Sequence, residues 1–191
     1  MPGHPCLYLS SQEELCWFEC NKPEEFAIAR FELPRDEDNC LKFIDFSEKL
    51  MPLMHSFFSW FHNNDDKEAV RNYLLKHLYS YPLRAACSVM VEYPEGSFKE
   101  EYIIPQMLVQ WILIDDDFDG VRYESSSNSD EVKFMGGHNI VLVTSNYDPD
   151  GYDKKLRKLI KICEPVLVKA TSVDDITKSY REDNYDTRQY F

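Results

Sequence analysis

With 191 residues and a hydrophobic fraction of 43%, the chain has the length and apolar content of one folded domain and not of a disordered segment. Its formal charge is −13, from 21 basic against 34 acidic side chains; such a surface repels phosphate backbones, which excludes nucleic acid as a partner and leaves an anionic small molecule only where a local basic pocket exists. No apolar run approaches the roughly 18–20 residues that span a bilayer, and Met1-Pro2-Gly3-His4-Pro5 has neither region of a secretory signal, so the expectation is a cytoplasmic protein without a membrane partner.

In chain order, Cys6-Leu7-Tyr8-Leu9 reads as a short strand. Ser10 and Ser11 offer helix N-caps, Ser11 and Glu14 have capping-box spacing, and the helix carrying Leu15, Phe18 and Glu19 stops at Asn21-Lys22-Pro23. Strands are expected over residues 25–31, with Phe26 and Ile28 inward, and over 41–45. Residues 51–61 are rich in Met and Phe and read as core or interface. Val70, Leu74 and Leu78 recur at spacing of four, which predicts a helix over 67–79 interrupted by Pro82.

The next helix spans 101–114, with Ile103, Ile104, Met107, Leu108, Trp111 and Ile112 on a broad apolar face and Pro105 in its first turn. Asp115–Asp119 lacks the spaced ligands of a calcium loop and reads as a solvated turn into a strand at Val121-Arg122-Tyr123. Residues 125–130 and Gly136-Gly137 are loops, and the latter is not a phosphate-binding loop because no Gly-Lys-Ser/Thr follows. The continuous apolar run 140–143 is a buried strand. A helix over 153–163, a strand over 165–169 and a polar, mobile tail from Thr171 complete the chain. The reading is one α+β domain over 1–170 with a tail over 171–191. Six scattered cysteines complete no four-ligand set and read as small buried hydrophobes, with no metal.

Three segments combine polar residues with strong punctuation: Leu7-Tyr8-Leu9 with the helix ending in Glu19, Asp119-Gly120-Val121-Arg122-Tyr123-Glu124-Ser125-Ser126, and Gly136-Gly137-His138-Asn139-Ile140-Val141-Leu142-Val143. Together, from about Gly3 to about Val143, they resemble the RES-domain family. Its signature is an apolar-Tyr-apolar strand and a helix ending in Glu, then Asp-Gly-apolar-Arg-Tyr-x-Ser and Asn-apolar-Val-Leu. The resemblance implies an ADP-ribosyltransferase-like mixed sheet with flanking helices, and a toxin that cleaves NAD at the nicotinamide–ribose bond. NAD is then substrate, with no separate cofactor. Carried over by motif, the implied catalytic residues are Tyr8, Glu19 and Ser125, with Ser126 and Arg122 as contacts to the bound nucleotide. A carboxylate at Glu19 would stabilise the oxocarbenium-like ribose that forms as an N-glycosidic bond breaks.

In the family an arginine, usually followed by tyrosine, lies upstream of the first strand; here seven residues precede Tyr8 and none is Arg or Lys. Whether the chain is an enzyme therefore stays open. The alternative is a non-catalytic interaction module that binds an antitoxin-like protein or a second copy of itself. Individually, Glu19 reads as an exposed helix carboxylate, Tyr8 as a strand core residue and Ser125 as loop polarity. Arg122 reads as a brace paired with an acid or as a phosphate contact, and His138 as a strand-edge histidine.

Overall fold

The computed structural model describes residues 4–33, 40–47, 58–59, 61–62, 67–89, 91–92, 96, 99–115, 117–125 and 137–176. Its elements are β1 (Cys6–Ser10), α1 (Glu13–Glu19), β2 (Glu25–Ile28), β3 (Phe31–Glu32), β4 (Phe43–Phe46), α2 (Lys67–Cys87), a 3₁₀ turn (Glu100–Tyr102), α3 (Ile103–Asp115), β5 (Gly120–Glu124), β6 (His138–Val143), α4 (Lys154–Leu159), β7 (Lys161–Ile162) and β8 (Val166–Lys169). This is an α+β fold with a mixed sheet, as the sequence predicts. The main sheet runs β1-β6-β5-β4, antiparallel except for the parallel β4–β5 pair, and β2–β8 and β3–β7 form two small antiparallel ribbons.

β6 reads as one apolar run because both of its faces are covered. Ile140 and Leu142 point to one side, where they meet Leu156 and Ile160. Val143 points to the other and joins Phe46, Val121, Leu108 and Ile112 under α3. A third cluster, Leu15, Trp17 and Phe18 of α1 with Val168, Ala170 and Ile176, holds α1 against the β2–β8 ribbon. The register fixes which side chains share a face. Ser10, Asn139 and Tyr123 form one cross-strand row and Tyr8, Val141 and Val121 the next, all on the α3 side. Arg122 stands opposite Ile140 and beside Asp45, so it belongs to the other side. Gly120 is required where β5 meets β6, because a Cβ there would lie 2.0 Å from the Val141 carbonyl oxygen.

Several expectations are corrected by tertiary contacts. No capping box forms at α1: Gln12 is the N-cap, without a side-chain cap bond, and Ser11 Oγ instead accepts the His138 N–H at 2.9 Å. α2 continues through Pro82 to Cys87. The carbonyl that Pro82 leaves without a helical donor belongs to Leu78, an exposed residue where water can serve. α4 stops at Leu159 with Ile160 extended, because Ile162 pairs with Phe31 and Cys163 N–H donates to the Arg30 carbonyl at 2.9 Å. Asp119 is no solvated turn residue: it accepts from Lys42 N–H at 2.9 Å, pairs with Lys155 and ties the entry of β5 to α4.

The apolar face expected on α3 is divided. Leu108 and Ile112 are buried, while Ile103, Ile104, Met107, Trp111 and Ile114 are exposed. The cysteines are not buried hydrophobes either, since Cys16, Cys20 and Cys40 are exposed and Cys6, Cys87 and Cys163 half-buried, all as free thiols. The polar segment from Thr171 begins as packed structure: Asp175 accepts from Thr171 and Ser172, and Ile176 is 0% exposed. Residues 177–191 lie outside the described residues, as do 51–57 and Trp60 of the Met/Phe-rich stretch; Phe58 and Phe61 of that stretch are exposed. Among the described residues no helix is long and apolar enough to cross a membrane.

Candidate functional site

Glu19 is the last residue of α1, and the chain reverses directly after it through two left-handed residues, Asn21 (φ 61°) and Lys22 (φ 54°). Each such residue costs on the order of 1–3 kcal/mol unless its surroundings hold it. Here the Lys22 ammonium lies 4.3 Å from the Phe18 ring centre, and Trp17 Nε1 donates to the Pro23 carbonyl at 2.9 Å. The reversal and the buried Trp17-Phe18 pair together set the end of α1 against the rim of the main sheet.

There, Glu19 Oε1 accepts two hydrogen bonds, from Ser125 Oγ at 2.5 Å and from Asn139 Nδ2 at 2.8 Å. Asn139 is 5% exposed and its Oδ1 in turn accepts from Ser10 Oγ at 2.6 Å. Three distant stretches of chain are joined by these bonds: the β1–α1 unit, the end of β5 and the start of β6. Both donors fall on Oε1, so among the described residues Glu19 Oε2 is left without one. A carboxylate with one oxygen anchored and the other open is held in place yet able to face a ligand.

Glu19 also lines a cavity of about 580 Å³ between the main sheet and α3, within the roughly 300–1,000 Å³ range of small-molecule sites. Tyr8, Tyr123 and Val141 contribute from the sheet, Tyr102 and Glu101 from the 3₁₀ turn, and Cys87 from the end of α2. Tyr8 is 68% exposed, a cavity-wall residue and not the strand core residue that alternation alone suggests. Burial, then the neighbouring Glu19 and Tyr8, push the Tyr123 phenol well above its usual range despite the opposing effect of Asn139, so it stays protonated at neutral pH. Burial pushes the Cys87 thiol up to about 11 and raises that of Cys6, so neither cysteine of the described wall is a thiolate at neutral pH. Among the described residues, the wall carries two carboxylates, three phenols, His4 and no Lys or Arg.

Of the residues singled out by sequence, Tyr8 and Glu19 share this cavity, and Ser125 reaches it through its bond to Glu19. Arg122 does not join them. Strand alternation puts it on the other face, where its Nη1 lies 3.3 Å from Asp45 Oδ2; its buried Nε has no partner among the described residues. The pairing reading of Arg122 fits this placement and the nucleotide contact does not. Ser126 lies outside the described residues. His138 is held below its usual range, first by burial and then by Arg122, against the opposing pull of Asp45. Among the described residues no group of three or more His, Cys, Asp or Glu side chains could hold a metal.

Asn139, Tyr123, Glu101 and Tyr102 were not singled out as site residues by the sequence. Asn139 carried a signal: an amide at the head of a strand otherwise apolar must find partners inside the fold. Glu101 and Tyr102 carried none, since their place depends on how α3 lies across the sheet.

Over 114 residues, 59% of its length, the chain is 31% identical to the Bacillus subtilis (strain 168) protein named "Putative toxin YopC". The chain spans 25% of that protein's length. No protein-family model matches the chain, and no solved structure matches it.

Proposed function

We propose that this chain forms the catalytic part of a toxin that breaks the nicotinamide–ribose bond of NAD. The observation that carries the reading is the convergence of Ser125 and Asn139 on one oxygen of Glu19 at the rim of a cavity walled by Tyr8. The RES-like order of these residues along the chain and the likeness to a protein named as a toxin both support it. In this reading the bond from ribose C1′ to the pyridinium nitrogen breaks and its electron pair stays on the ring, which leaves as neutral nicotinamide. The positive charge that develops on the ribose faces the open oxygen of Glu19, an arrangement worth on the order of 10²–10³ in rate. Water then adds at C1′ and loses a proton to the solvent, or phosphate adds through an ionised oxygen. Tyr8 offers its ring or hydroxyl beside the leaving group, and Ser125 orients Glu19 or hydrogen-bonds the nucleotide.

The test is product analysis of the chain incubated with NAD, by chromatography and mass spectrometry, with and without phosphate. Free nicotinamide with ADP-ribose would identify water as the nucleophile, and nicotinamide with a phosphorylated ADP-ribose would identify phosphate. NAD recovered intact under both conditions contradicts the reading.

A second reading, a non-catalytic module that binds an antitoxin-like protein or a second copy, is favoured by one observation. Ile103, Ile104, Met107, Trp111 and Ile114 form an exposed stripe on α3, about a third of a turn round from its buried Leu108 and Ile112. An exposed apolar stripe of this length is normally covered by a partner. Light scattering of the chain alone separates the two forms of this reading, since only a second copy gives a dimer mass.

A further inference from the structure

We propose that the cavity is a binding site for a planar organic cation, held between the carboxylates of Glu19 and Glu101 and faced by Tyr8, Tyr102 and Tyr123. The inference deepens the reading above, from which it takes the cavity as the ligand site, by naming the charge and shape that the wall selects.

Among the described residues the wall carries two carboxylates, Glu19 and Glu101, and no Lys or Arg to offset them. Glu101 Oε1 accepts the Glu92 N–H at 2.8 Å, a bond that favours the ionised carboxylate and is the first cause of its lowered pKa. Glu19 is anchored through Oε1 alone, as described. Tyrosine faces attract cations by an estimated ~0.5–2 kcal/mol, more as water is excluded, and the chain shows this at the cavity rim, where the Lys99 ammonium lies 5.9 Å from the Tyr102 ring centre. Lys99 is outside the cavity wall. It offsets part of the Glu101 field, so removing its charge should strengthen the site. An anion meets the opposite field, and a neutral ring gains the aromatic contact without the charge.

The test is calorimetric titration of the full chain with 1-methylnicotinamide, a planar cation, and with 3-methylbenzamide, its neutral isostere. The expected result is a preference for the cation of about tenfold, or about 1.4 kcal/mol by the usual conversion. Glu101→Gln, whose amide oxygen can still accept from Glu92, should cut the cation's affinity severalfold and leave the neutral probe unchanged. Lys99→Gln should raise the cation's affinity. Equal binding of both probes, binding of neither at millimolar concentration, or indifference to both substitutions overturns the inference. Cation binding without NAD cleavage keeps this inference and removes the enzymatic one; NAD cleavage without cation preference does the reverse.

Discussion

Asn139 engages both ends of its carboxamide at once, accepting from Ser10 and donating to Glu19. Asn139→Leu removes the acceptor of half-buried Ser10 and one of the two donors to Glu19, and should cost about 1–3 kcal/mol of stability in a urea titration. It also frees Glu19 to rotate about its remaining bond to Ser125. If NAD is the substrate, kcat should fall at least about tenfold while KM changes little, because the loss is of orientation and not of ground-state contact. An equal change in both constants would place Asn139 in substrate binding instead. Asp153 is a second residue whose role can be measured. Burial alone would raise its pKa, but N–H donors from Leu156, Ser145 and Asn146 outweigh this and hold it below the usual carboxylate range. Its contribution is therefore fully present above the unfolded value of about 3.9 and is lost as pH falls through the lower folded value. Asp153→Ala should cost about 1–2 kcal/mol near neutrality, and its difference from the wild type in urea midpoint should shrink below about pH 4. A difference that stays constant into strong acid would contradict this.

At the scale of elements, the close approach of β5 and β6 is the least forgiving contact. Gly120→Ala puts a methyl carbon 2.0 Å from a backbone oxygen that cannot move aside without shifting β6. A loss of about 3 kcal/mol or more is expected in a thermal melt, against well under 1 for a surface change; an unchanged melt would mean that the strands are further apart. The strands were legible in sequence because period-two and continuous apolar patterns report burial directly, as in Ile140-Val141-Leu142-Val143. Helix ends were less legible. The apolar spacing of Leu156, Leu159, Ile160 and Cys163 continues a helix on paper, while the β3–β7 ribbon claims its last turn. The site was legible where a motif fixed residues to β1, α1 and β5. It was not legible at Glu101 and Tyr102, whose distance from Glu19 in sequence is closed only by the lie of α3 across the sheet. Arg122 could be placed by alternation alone: Tyr123 on the cavity side puts its neighbour on the other.

Across the whole molecule, an acidic surface with a charge of −13 surrounds an uncharged stripe on α3. The two sides of that helix should respond oppositely to substitution. Leu108→Ala, on the buried side, should cost about 2–5 kcal/mol. Met107→Glu, one residue earlier on the exposed side, should leave the melt nearly unchanged and reduce binding of an anionic hydrophobic dye. Strong destabilisation by Met107→Glu would show that the stripe is covered in solution. The site, by contrast, depends on the meeting of the main sheet with the α1 ribbon unit, since Glu19 comes from one and both of its donors from the other. The measurement that bears most directly on this is the rate of nicotinamide release from NAD by the wild-type chain and by Glu19→Gln, both verified as folded by circular dichroism. The account predicts release by the wild type and a loss of at least about 10²-fold in the variant; equal rates in the two proteins would contradict it.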